Sequence, residues 1–138
     1  MLPVVVFDTN ILFSALGWRG RPHECVELAR SGRIDAVTCQ ELIDELAEKL
    51  QAKLEFTDEQ ISEVLADLLG FLALVEISNT LRFISADPDD DKVLECAVAA
   101  GAAYIISGDR RHVLPLGIYQ GIAIVSAADF LAHVAPSL

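Results

Sequence analysis

The chain has 138 residues, 53% of them hydrophobic, which fits one domain with a single well-filled core and leaves no room for a second. Its formal net charge of −11 excludes a broad, non-specific grip on nucleic acid, because that grip comes from lysine and arginine neutralising phosphates. Carboxylates that bind a cation are part of the negative count, however, so the charge does not exclude an enzyme acting on phosphodiesters.

The first apolar run, Pro3-Val4-Val5-Val6-Phe7, reads as a buried strand ending at Asp8. Its abrupt meeting with an acid, and the absence of a basic segment in Met1-Leu2-Pro3, argue against a signal peptide and predict a cytoplasmic protein. Ile11, Leu12, Ala15 and Leu16 suit a short helix closed by Gly17, and Trp18 to Arg21 reads as a polar turn. Pro22 can occupy the first turn of a second helix, with Cys25, Val26, Leu28 and Ala29 inward and Gly32 at its end. A short strand, Ile34 to Val37, follows.

Thr38-Cys39-Gln40-Glu41 has the pattern of a capping box, predicting a third helix that starts there. On it Leu42, Leu46 and Leu50 should face the core, with Glu41, Glu45 and Glu48 along another face. Thr57-Asp58-Glu59-Gln60 repeats the pattern and opens a fourth helix, with Ile61, Val64, Leu65, Leu68 and Leu69 inward. Phe71 to Ile77 reads as a strand. The longest apolar stretch, Val64 to Ile77, is interrupted by Asp67 and Glu76 and falls short of the roughly 20 residues of a membrane span, so no membrane association is expected.

The acidic cluster Asp87-Pro88-Asp89-Asp90-Asp91 leads into a helix, Asp91 to Ala100, ended by Gly101. Carboxylates there interact favourably with the helix dipole, which by itself would account for them. Tyr104 to Ile106 is a short central strand, Ile122 to Val125 the last, and Ser126-Ala127-Ala128-Asp129 caps a closing helix. Alternating strands and helices predict a parallel sheet covered on both faces.

Asp8 and Asp109 each follow an apolar strand, the second across Ser107-Gly108, and the carboxyl edge of such sheets is where ligands bind. Thr9, Asn10 and Ser107 add short polar groups able to orient a carboxylate. Of the acidic cluster, Pro88 makes the first part a turn, which leaves Asp90 or Asp91 to face a pocket. Converging acids repel, and Mg²⁺ or Mn²⁺, which take oxygen ligands, would compensate. Cys25, Cys39 and Cys96 form no close pair and read as reduced core residues, and His23, His112 and His133 have no zinc-type spacing. Arg19 with Arg21, and Arg110 with Arg111, are candidate substrate-binding pairs that could rim the same sheet edge.

Phe7-Asp8-Thr9-Asn10, Thr38-Cys39-Gln40-Glu41-Leu42-Ile43-Asp44-Glu45-Leu46, Asp87-Pro88-Asp89-Asp90-Asp91-Lys92-Val93-Leu94 and Ile106-Ser107-Gly108-Asp109, in this order and spacing, resemble the PIN-domain family. More narrowly they are similar to its VapC-related branch, described as toxins of toxin-antitoxin pairs. Residues 125–131 resemble the family's closing helix, so the match spans nearly the whole chain. The resemblance implies a three-layer α/β/α sandwich with a central five-stranded parallel sheet, and a Mg²⁺- or Mn²⁺-dependent ribonuclease. It casts Asp8, Glu45 and Asp109 as the first, second and fourth acids, with Asn10 and Ser107 in support. The Asp-Pro-x-Asp pattern puts the third on Asp90, whereas the usual interval of about eighteen residues to Asp109 favours Asp91. It also implies an RNA substrate and a cognate antitoxin partner, and the high apolar fraction is compatible with a homodimer. Competing readings are a PIN-like module that has lost activity and binds a protein partner, or an aspartate-dependent phosphatase, which would usually carry an acid where Asn10 stands.

Overall fold

The computed structural model describes residues 1–78 and 91–138. In chain order its strands are β1 (Val4–Phe7), β2 (Asp35–Thr38), β3 (Ala73–Leu74), β4 (Tyr104–Ile106), β5 (Ile118–Tyr119) and β6 (Ile122–Val125). The helices are α1 (Thr9–Gly17), α2 (Arg21–Arg30), α3 (Gln40–Leu54), α4 (Asp58–Leu69), α5 (Asp91–Ala100) and α6 (Ala127–Asp129), the last continued by a π turn, Phe130–Val134. The sheet order is β3-β2-β1-β4-β6-β5. The first five of these strands run parallel and β5 pairs antiparallel to β6.

Alternation along the strands produces two cores. Val5, Phe7 and Ile106 pack with residues of α1, α2, α3 and α4 and with Phe130, while Val6 and Ile105 pack on the other face with Val93, Leu94 and Ala97 of α5. The result is the expected three-layer sandwich. Tyr104 meets Phe130 edge-on at 5.5 Å, locking the closing segment against β4. All three cysteines are free and buried. Burial pushes the Cys25 thiol up to about 12. The bond to Cys39, then burial, raises that of Cys96.

Four local expectations are corrected. Thr38 is the last residue of β2, its carbonyl taken by the Val75 amide, so it cannot cap α3; Cys39 occupies the cap position without a side-chain bond. The strand expected over residues 71–77 shrinks to Ala73–Leu74, because the amides of Phe71 and Leu72 still bond Leu68 and extend the end of α4. Leu69 stands at the edge of the apolar stripe of α4 and is exposed. The sixth strand, β5, forms through a two-residue turn at Gln120 and Gly121, both with positive φ (48° and 79°), as primed hairpin turns require. The boxes at Thr57 and Ser126 behave as expected, the first with both reciprocal bonds.

Strand order positions the site. After β1 the chain builds outward through β2 to β3, then returns to the opposite side of β1 with β4. The gap between the carboxyl ends of β1 and β4 is therefore a topological switch point, where open α/β sheets bind ligands.

Candidate active site

Asp8 leaves β1 as the N-cap of α1, and its amide bonds the Ile106 carbonyl of β4 at 2.9 Å. One carboxylate oxygen accepts from the Thr9 amide at 2.8 Å and the other from the Ser107 hydroxyl at 2.7 Å. Ser107, fully buried, in turn accepts from the Asp109 amide at 3.0 Å. A continuous chain of bonds thus runs from Asp8 through Ser107 to the backbone of Asp109, across two adjacent parallel strands. Asn10 adds a second tie, accepting from the Gly108 amide at 3.0 Å with its amide nitrogen 3.5 Å from Asp8. A β-carbon on residue 108 would stand 3.3 Å from the Asn10 oxygen, so glycine there permits the approach.

Asp109 organises the loop behind it. One of its oxygens accepts from the amides of Arg111 and His112, each at 2.9 Å, and the other lies 3.5 Å from His112 Nδ1. Glu45, half-buried on α3, pairs with Lys49 at 3.5 Å. Glu41, Asp44, Glu45 and Glu48 line a cleft of about 220 Å³ together with Lys92, which brings the amino end of α5 to the acidic face of α3. Asp91, at that amino end, is buried. Asp90, with Asp87 and Asp89, lies outside the described residues, so the choice between Asp90 and Asp91 stays open.

Burial is the largest influence on Asp8 and pushes its carboxyl above the ordinary 3.8; the bonds from Ser107 and Thr9 and the charge of Lys49 pull it down, and the charge of Asp109 pushes it up again. Asp8 therefore feels both Asp109 and Lys49. Lys49 was not anticipated, although its i,i+4 spacing from Glu45 is the helical ion-pair signal. Nor was His112, which the tight turn after Asp109 brings back onto that carboxylate.

The basic pairs part company. Arg110 and Arg111 are exposed beside Asp109, whereas Arg19 and Arg21 lie beyond the nine residues of α1, about 13 Å of helix from Asp8. Among the described residues no three acidic, histidine or cysteine side chains stand close enough to hold one ion. The donor chemistry nevertheless suits a hard cation: the side chains gathered at the switch point offer oxygen, Asp8 is a buried carboxylate, and the Thr9 hydroxyl beside it is buried without a partner among the described residues.

Replacing Ser107 by alanine removes the donor to a buried carboxylate and leaves the Asp109 amide unpartnered, at a cost of about 1 to 3 kcal/mol. The acidic limb of the pH-rate profile should move upward with it. Ser107→Thr restores the hydroxyl and should restore both stability and profile.

Several solved chains share the fold, two of which follow. A VapBC2 complex from Rickettsia felis, bound to a DNA fragment from their promoter, has a TM-score of 0.61 at 14% identity, covering 88% of this chain and 96% of that one. The T. brucei RRP44 PIN domain has a TM-score of 0.54 at 15% identity, covering 99% and 83%. Curated protein sequences contain no match. No helix among the described residues is long and apolar enough to cross a membrane. Residues 4–111 match the family model for the PIN domain, and the chain belongs to that family.

Proposed function

We propose that this PIN domain is a divalent-metal-dependent ribonuclease and the toxin component of a toxin-antitoxin pair. The observation that carries the reading is the bonded bridge Asp8–Ser107–Asp109 spanning the switch point between β1 and β4. Asp8 and Asp109, with Asp90 or Asp91, would hold Mg²⁺ or Mn²⁺, which when bound offsets the repulsion among these acids and the charge developing on the scissile phosphate. Ser107 and Asn10 fix the two loops relative to each other, so the carboxylates are oriented before substrate arrives. Glu45, paired with Lys49, would be a further ligand or the group that orients the attacking water. Arg110 and Arg111 meet the phosphates beside Asp109, and the expected products carry a 5′-phosphate and a 3′-hydroxyl.

The shared fold with a VapBC2 complex supports a small antitoxin protein as partner. Inspection of the neighbouring reading frame tests that part. The chemistry is tested by incubating pooled RNA with the protein in Mg²⁺, Mn²⁺ or EDTA: cleavage with either ion, abolished by EDTA, is expected. Absence of cleavage in all three, with the protein folded, would favour a non-catalytic binding module instead.

A further inference from the structure

Trp18, the chain's single tryptophan, is 59% exposed at the junction of α1 and α2. Its amide bonds the Ser14 carbonyl at 3.0 Å, which pins its backbone to the last turn of α1. Beneath it lies Phe13, at a centroid distance of 5.9 Å and an angle of 57°, and Lys53 Nζ sits 6.0 Å from the Phe13 ring. Arg19 and Arg21, both exposed, follow it within three residues of chain.

The distribution of cations bears on the role of this ring. Arg30 is held by Asp67 and Glu27, Arg33 by the Leu138 carbonyl, Lys49 by Glu45, and Lys92 lies in the acidic cleft of α3. Among the described residues Arg19, Arg21 and Lys53 have no ion-pair partner, as is true of Arg110 and Arg111 and of Arg33, which meets only a backbone carbonyl. In a protein of net charge −11, the described cations without an acidic partner include two groups, one beside Asp109 and one next to an exposed indole in the chain. Aromatic faces framed by cations recognise single-stranded nucleic acid, the ring stacking on a base while the cations follow the backbone.

We infer that Trp18, supported by Phe13 and accompanied by Arg19, Arg21 and Lys53, is a stacking platform for one base of a single-stranded RNA that runs along α1 toward Asp8. The separation of about 13 Å corresponds to roughly four nucleotides at about 3.4 Å per stacked step, so substrates shorter than this reach the acids without the platform. The inference takes its ligand class from the ribonuclease reading and none of its catalytic assignments.

The test uses the full chain and an eight-nucleotide single-stranded RNA of mixed sequence in EDTA, so that binding is read without cleavage. Trp18 emission should be quenched on titration. Trp18→Ala should weaken binding of the end-labelled RNA roughly 5- to 100-fold by anisotropy, whereas Trp18→Phe should keep most of the affinity. In Mg²⁺ or Mn²⁺, Trp18→Ala should raise KM for the octamer and leave a trinucleotide unaffected. Unquenched emission with RNA bound, or a Trp18→Ala affinity within twofold of wild type, would overturn the inference. So would an emission change produced by raising protein concentration alone, which would assign the patch to a second copy. Quenching without cleavage in any divalent ion sinks the nuclease reading while this one stands; cleavage indifferent to Trp18 sinks this one alone.

Discussion

Asp8→Asn lowers RNA cleavage by roughly 10³-fold while raising the melting temperature of the ion-free protein, the first expected from loss of a ligand to the cation that would offset the charge developing on the scissile phosphate. The second follows from burial. Because the folded carboxyl lies above its ordinary 3.8, the native state holds this proton more tightly than the unfolded chain. The resulting stabilisation is fully present below 3.8 and is lost as pH rises through the folded value. Once ionised, Asp8 of the ion-free protein is a buried charge that costs stability, and asparagine removes the charge while keeping an oxygen for the Thr9 amide. Each kcal/mol recovered should raise the melting temperature by about 3 to 5 °C, and the gain should shrink as the pH falls toward 3.8. Mg²⁺ or Mn²⁺ should stabilise the wild type and leave the variant unmoved, by mass action on a site only the former retains. Thermal scans across pH, with and without the ion, check all of this. A variant destabilised in EDTA at neutral pH would mean that Asp8 is held for the fold alone.

Leu46→Ala has the largest expected cost in stability. Leu46 is fully buried in the core shared with α1, α2 and α4, and truncation there leaves a cavity worth about 2 to 5 kcal/mol. The melting temperature should fall by about 6 to 25 °C. Leu46→Met, which keeps the volume, should cost less than about 1.5 kcal/mol. Since Glu45 and Lys49 ride on the same helix, the alanine variant should lose cleavage at a lower temperature than wild type, in step with unfolding rather than ahead of it. Circular dichroism and cleavage followed on one temperature ramp check the coincidence.

Much of this architecture is local and could be read from the chain. The boxes at Thr57 and Ser126, the core stripe Leu42, Leu46 and Leu50, and the strands ending in Asp8 and Asp109 all declare themselves through periodicity and capping chemistry. What escaped depends on contacts between distant segments. That β1 lies beside β4, so that Ser107 can bond Asp8 from 99 residues away, is a matter of strand order, on which periodicity is silent. β5 exists only because β6 offers it a ladder, since two residues carry no pattern of their own. Thr38 has the letters of a cap, but sheet pairing claims its backbone first. Arg19 and Arg21 looked equivalent to Arg110 and Arg111 until the length of α1 separated them. Lys49, by contrast, is legible from its place four residues after Glu45.

A structure determined after soaking with Mn²⁺ tests the central claim most directly. The account predicts one ion, or an adjacent pair, at the carboxyl ends of β1 and β4, bound by Asp8, Asp109 and whichever of Asp90 and Asp91 is the third ligand, at about 2.0 to 2.3 Å. Manganese found only on scattered surface acids such as Glu41 and Glu48, with the switch point empty at saturating concentration, would contradict it.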